Sequence, residues 1–166
     1  MKKLRYIVLF YCCFFIQHNL VAQIRISSSS FVNKSIPSVA ISEAGMDFQV
    51  EMEFSTDEII LSVAILPQNL DNVVYLPWQI QVSKNDLEWN EAIEIYIRRT
   101  GDGKSEYNNK PQNGFYYQKL DSNSTLLFSG QGWINSIPLQ LKITGLSVTL
   151  PAKSYATEIN FTLIDN

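Results

Sequence analysis

INSIPLQLKITGLSVTLPAKSYATEINFTLI, residues 134–164, is the stretch whose reading decides the fold. Apolar side chains fall on alternate positions, at Ile137, Leu139, Leu141 and Ile143 and then at Tyr155, Ile159, Phe161 and Leu163. Gln140, Lys142, Glu158, Asn160 and Thr162 stand between them. Successive side chains of a strand point to opposite faces, so each run carries one dry and one wet face. Two such strands, with residues 145–154 crossing between them, need a second sheet over the dry side.

The chain upstream supplies that sheet. Met46, Phe48, Val50, Met52 and Phe54 alternate with Asp47, Gln49, Glu51 and Glu53, and a tight turn follows at residues 55–57. Residues 58–66 are apolar on both faces, as a central strand is, and Ile59, Ile60, Val63 and Ile65 favour strand over a buried helix. Trp78, Ile80 and Val82 share one face of a strand at 76–83, ahead of a polar loop at 84–91. Ile93, Ile95 and Ile97 alternate with Glu94, Tyr96 and Arg98 in a strand over 92–99. Residues 100–114 form the longest irregular stretch. Strands at 115–120 and 125–128 and a loop at 129–133 complete the series. Towards the start, 36–41 is a short strand candidate, 43–45 a turn, and Ile24 and Ile26 alternate in an edge strand that runs into serines. No helical period is sustained. Turns at intervals of about eight to twelve residues point to an all-β antiparallel β-sandwich of about eight strands.

Lys2, Lys3 and Arg5, an apolar run from Tyr6 to Ile16, and Ala22 before Gln23 have the layout of a secretory signal peptide. The run is shorter than the roughly 20 residues a membrane-spanning helix needs; a signal anchor is the alternative reading. The expected organisation is a signal peptide at 1–22 and a single sandwich domain at 23–166, with 23–34 a flexible N-terminal strand. No integral membrane segment is expected after cleavage. Cys12, Cys13 and His18 leave with the leader, so the mature chain has neither Cys nor His. That removes disulfides, Cys/His zinc sites, a Cys nucleophile and a Ser-His-Asp triad. Ten basic residues then face sixteen acidic ones, a net charge of −6, which argues against nucleic acid or an anionic membrane as partner.

Candidate sites remain in the loops. Asp102, Glu106, Asn108 and Asn109 supply oxygens at 100–114, but Gly103, Lys104 and Ser105 break the every-second-residue ligand series of calcium loops. No metal and no cofactor is expected. Asp86, Glu88, Glu91 and Glu94 lie near Trp89 and are the only glycosidase-like grouping; a solvated acidic face is the simpler reading, and no catalytic residue is assigned. Trp78 belongs to the core. Trp89, Trp133, Arg99 and Tyr107 are the candidate ligand or partner contacts, because large rings and a guanidinium in or beside loops suit recognition. Either loop tryptophan can instead fold back as a plug over the end of the sandwich, and Arg98 can pair with a cross-strand acid. Asn33, Asn123 and Asn160 open N-glycosylation triplets, which the Ile/Asn-rich, bacterial-looking composition leaves silent.

Pro151, Tyr155, Ile159, Phe161 and Leu163, with the segment from Ile137 to Val148 before them, resemble the C-terminal part of spore-coat-U-like and fimbrial secreted domains. Ser154 replaces the glycine that often precedes the tyrosine there. The resemblance implies an exported, non-enzymatic, Ig-like antiparallel β-sandwich for surface or pilus-type assembly, with strand donation through Ile24 and Ile26 as its mode. The expected partner is another protein or a further copy of the chain. The alternative is a secreted carbohydrate- or protein-binding module that uses the loop aromatics on a glycan or protein.

Overall fold

A computed structural model describes residues 23–28, 50–66, 76–147, 150–151 and 153–165. The expected leader, the candidates at 36–41 and 43–45, the acceptor Asn33 and the start of the Met46–Phe54 alternation lie outside these residues.

The described chain is all-β. Its strands are β1 (Gln23–Ser28), β2 (Val50–Glu53), β3 (Ile59–Leu66), β4 (Pro77–Glu88), β5 (Glu94–Arg99), β6 (Gln118–Lys119), β7 (Thr125–Gln131), β8 (Ile134–Leu146) and β9 (Ala156–Asp165). One sheet has the order β1-β3-β8-β5-β6, with β2 also on β8; the other has the order β7-β4-β9. Every pairing is antiparallel. The architecture is the antiparallel sandwich that the alternation predicts, and no helix among the described residues is long and apolar enough to cross a membrane.

The core lies between the sheets. Leu61, Val63, Ile95, Ile97, Ile137 and Leu139 come from one side and Trp78, Ile80, Val82 and Phe128 from the other. Burying one such aliphatic or aromatic side chain contributes about 1.5–3 kcal/mol, so the one-sided pattern dictates which face turns inward. The two strands of residues 134–164 do not lie side by side. β8 is central in the larger sheet, and β9 pairs with β4 in the smaller. The dry faces of β8 and β9 therefore both turn to the core, from opposite sheets.

Four elements differ from the sequence reading; one is β7, which runs on to Gln131 through part of the loop expected at 129–133. The turn at 55–57 forms, with the Glu58 N–H donating to the Ser55 carbonyl (3.2 Å), but it does not reverse the chain, since β2 and β3 both pair antiparallel with β8, at Lys142–Leu146 and Ile134–Leu139. They run in line along one edge, and the Gln140 amide donates to the Phe54 carbonyl (2.7 Å) where the main chain leaves the ladder. The polar segment expected as a loop continues β4 to Glu88, because Lys84 to Glu88 pair with Ile159 to Ala156 of β9. A ladder of main-chain hydrogen bonds needs no apolar pattern to extend it. The strand expected at 115–120 shrinks to Gln118–Lys119, and Tyr116 is 88% exposed.

Candidate functional site

The site begins with a slip in the β8 alternation. Ile134 and Ile137 are three residues apart, yet both are fully buried. The β3–β8 register accommodates this by a shift between Leu61 and Val63, which pair with Ile137 and Ile134. Three residues' advance on β8 thus matches two on β3, a bulge at Asn135–Ser136, where Ser136 takes φ 53°. A bulge re-aims the backbone that carries it. Here Asn135 exchanges two main-chain hydrogen bonds with Lys104 (2.6 and 2.8 Å), which docks the 100–114 loop on the start of β8. Gly103 fits between them at φ +73°, and a Cβ there would meet the Asn135 carbonyl at 2.5 Å.

Arg99 shapes the rest of the loop. It lies on the inward parity of Ile93, Ile95 and Ile97 and is 1% exposed. Its guanidinium donates to the carbonyls of Asn113 (3.0 Å), Gly101 (2.9 Å) and Pro111 (3.1 Å) and to Asp102 Oδ1 (2.5 Å). The guanidinium carbon sits 3.8 Å from the centre of the Phe115 ring. A planar fork with five donors suits this convergence of acceptors. Asp102, a candidate calcium oxygen, is therefore engaged by Arg99 and, at 3.7 Å, by Lys110.

Between the loop and β8 lies a cleft of about 290 Å³ lined by Lys104, Ser105, Glu106, Tyr107, Trp133 and Asn135. Tyr107 is 54% and Trp133 42% exposed. Trp133 donates its indole N–H to Asn135 Oδ1 (2.8 Å). The preceding Gly132 donates to the Leu76 carbonyl (2.9 Å) and accepts from the buried Trp78 indole (2.7 Å). Both walls of the cleft are thus tied to the core.

The structure brings Tyr107 and Trp133 together and keeps the other two candidates apart from them. Arg99 lies behind the loop as its clamp. Trp89 is at the opposite end of β8: it donates to the Ile93 carbonyl (2.8 Å), beside the Glu94–Thr144 pair. The thirteen residues of β8 span roughly 40 Å. Trp89 packs partly buried against the core and meets the Tyr155 ring edge-on at 6.3 Å, the plug arrangement. Sequence reasoning did not single out Lys104, Ser105 or Asn135 as site residues; the three-residue spacing of Ile134 and Ile137 was the available signal.

Two carboxylates of the acidic segment, Asp86 and Glu94, have structural partners. Asp86 accepts from Lys84 (2.5 Å) and Thr157 (2.9 Å). Burial opposes its ionisation, but these hydrogen bonds and the Lys84 charge outweigh that and hold its carboxyl below the usual range. Glu94 accepts from Lys119 (2.6 Å) and Tyr96 (2.7 Å), which lower its pKa in that order, while the same contacts raise Lys119 and Tyr96. Arg98 pairs with an amide rather than an acid, because the β5–β8 register sets it opposite Gln140 (3.0 and 2.8 Å). No group of three or more His, Cys, Asp or Glu among the described residues is placed to hold a metal ion.

The chain matches no protein-family model, no curated protein and no solved structure.

Proposed function

We propose that this protein is an exported, non-enzymatic structural subunit of the spore-coat-U-like or fimbrial kind, which assembles with copies of itself at a cell surface through its sheet edges. The observation that carries the reading is the position of β1. It is the outermost strand of the larger sheet and pairs with β3 over six residues, Gln23↔Leu66 to Ser28↔Leu61. It also runs close to β9, so it lies at the seam where an edge of one sheet meets an edge of the other. There Ile159, Phe161 and Leu163 of β9 are only partly buried.

The main-chain hydrogen bonds of the β1–β3 ladder are the same whether β1 comes from its own chain or from a neighbour. Exchange therefore preserves the contacts, and protein concentration sets which form prevails. A strand added to a sheet edge draws affinity from main-chain bonds, with Ile24 and Ile26 at alternate positions for side-chain fit. The engagement of Asp86, Glu94 and Asp102 in local bonds is consistent with a non-enzymatic role.

Cross-linking tests the reading. Arg25 and Ala64 are register partners, and residues 23–166 hold no other cysteine. Concentrated Arg25→Cys/Ala64→Cys protein, oxidised and run without reductant, is expected to give a ladder of covalent oligomers that reductant collapses. Internally bridged monomer at every concentration, with light scattering of the unmodified chain also monomeric, overturns the proposal.

A further inference from the structure

We infer that the cleft between Tyr107 and Trp133 is a binding site for a neutral saccharide, separate from the β1 seam. Its size suits a small ligand, since about 290 Å³ lies at the lower end of the range for ligand pockets. Its chemistry selects among small ligands. The exposed rings of Tyr107 and Trp133 offer apolar surface with polar edges, which suits the C–H faces of a pyranose. Ser105 and Asn135 add a hydroxyl and an amide that can exchange hydrogen bonds with sugar hydroxyls.

Charge narrows the class further. An aromatic pair beside a carboxylate is also the chemistry of a cage for quaternary ammonium. Here Lys104 shares the lining with Glu106, so a cation meets an ammonium and an anion meets a carboxylate. A neutral ligand with alternating apolar and hydroxylated surface meets neither penalty. Acidic sugars and choline-like groups are disfavoured on the same ground.

The cleft is also preorganised, which lowers the ordering cost of binding. The Lys104–Asn135 bridge fixes the two walls to each other. Arg99 clamps the loop from behind, and the Trp78 indole holds the turn that presents Trp133. The Trp133 ring is itself held by its hydrogen bond to Asn135. None of these anchors is part of β1, so loss of strand exchange leaves the cleft intact and the two proposals fail independently.

The test uses residues 23–166 on an array of neutral, sialylated and sulfated glycans. Intrinsic fluorescence titrations with cellohexaose, xylohexaose and chitohexaose, and with choline as the cationic control, accompany it. At least one neutral glycan is expected to bind. Trp133→Ala and Tyr107→Ala are each expected to weaken it roughly tenfold or more, with melting temperature close to that of the parent. Trp133→Phe, which keeps an apolar ring, is expected to restore much of the binding, and Trp89→Ala to retain it once folding is verified. Binding confined to acidic glycans or choline, binding that survives both alanine substitutions, or no binding to any of these probes overturns the inference.

Discussion

Replacing Arg99 by Met removes the clamp of the 100–114 loop while keeping an unbranched side chain in its place. The guanidinium makes four hydrogen bonds, three of them to main-chain carbonyls, at 1% exposure. Pro111 is buried, so its carbonyl loses its partner in a site where water does not readily replace it. That loss costs about 1–3 kcal/mol. Gly101 and Asn113 are more accessible, and their carbonyls can rehydrate, at about 1 kcal/mol each. Asp102 is 38% exposed and recovers solvent, so its ion pair adds little. The total is about 3–5 kcal/mol, the range for breaking a buried charge pair, or a fall in Tm of roughly 6–20 °C. Arg99→Lys keeps the charge but not the fork and is expected to lose about 2 kcal/mol. Urea unfolding followed by tryptophan fluorescence gives the magnitude, and amide hydrogen exchange gives its location. Exchange is expected to quicken most across residues 100–114. A loss below about 1 kcal/mol, or quickening spread evenly over the chain, refutes the clamp.

Three further outcomes follow from other contacts. Trp78→Phe leaves the buried Gly132 carbonyl without its 2.7 Å donor and opens space beside Phe128, for an expected loss of about 2–4 kcal/mol in chemical denaturation. Gly145→Ala places a Cβ 1.9 Å from the Ala92 carbonyl at φ +76°, and is expected to cost about 2 kcal/mol or more and to weaken the β5–β8 end first, as read by amide exchange. Asp86 has a depressed folded-state pKa, so its contribution is present above the unfolded value near 4 and is lost as pH falls through the folded value. Asp86→Asn is therefore expected to lower Tm at pH 6–7, with the gap to the parent shrinking as pH falls through the depressed folded-state value; a gap that stays constant as the pH is lowered contradicts the linkage.

The parts of the fold legible in the sequence are those with one-sided burial. Ile93, Ile95 and Ile97 announce β5, and Ile137, Leu139 and Leu141 announce β8, because a period of two maps directly onto a dry face. The same parity carried one position further puts Arg99 inward, a signal easily lost beside Arg98. The extension of β4 to Glu88 has no such signature, since it rests on pairing with β9 through the backbone. Phe115 and Tyr117 look like strand residues until the arginines are placed: Arg99 draws the first ring over its guanidinium, and Arg98 lies 4.5 Å from the centre of the second. Of the candidate site, exposed loop aromatics were legible as a class, but not which of them line one cleft.

By itself, then, the sequence determined the all-β class and the inward residues of most strands. These are local properties, set by alternation and residue type along a few neighbouring positions. Only the tertiary structure decided that β8 and β9 fall in opposite sheets, that β2 and β3 run in line, and that Tyr107 and Trp133 line one cleft while Trp89 lies at the far end of β8. The physical reason is that any strand offers nearly the same main-chain hydrogen bonds to any other. The choice of partner comes from packing between residues far apart in the chain, and a single bulge at Asn135–Ser136 is enough to turn a backbone toward one loop rather than another.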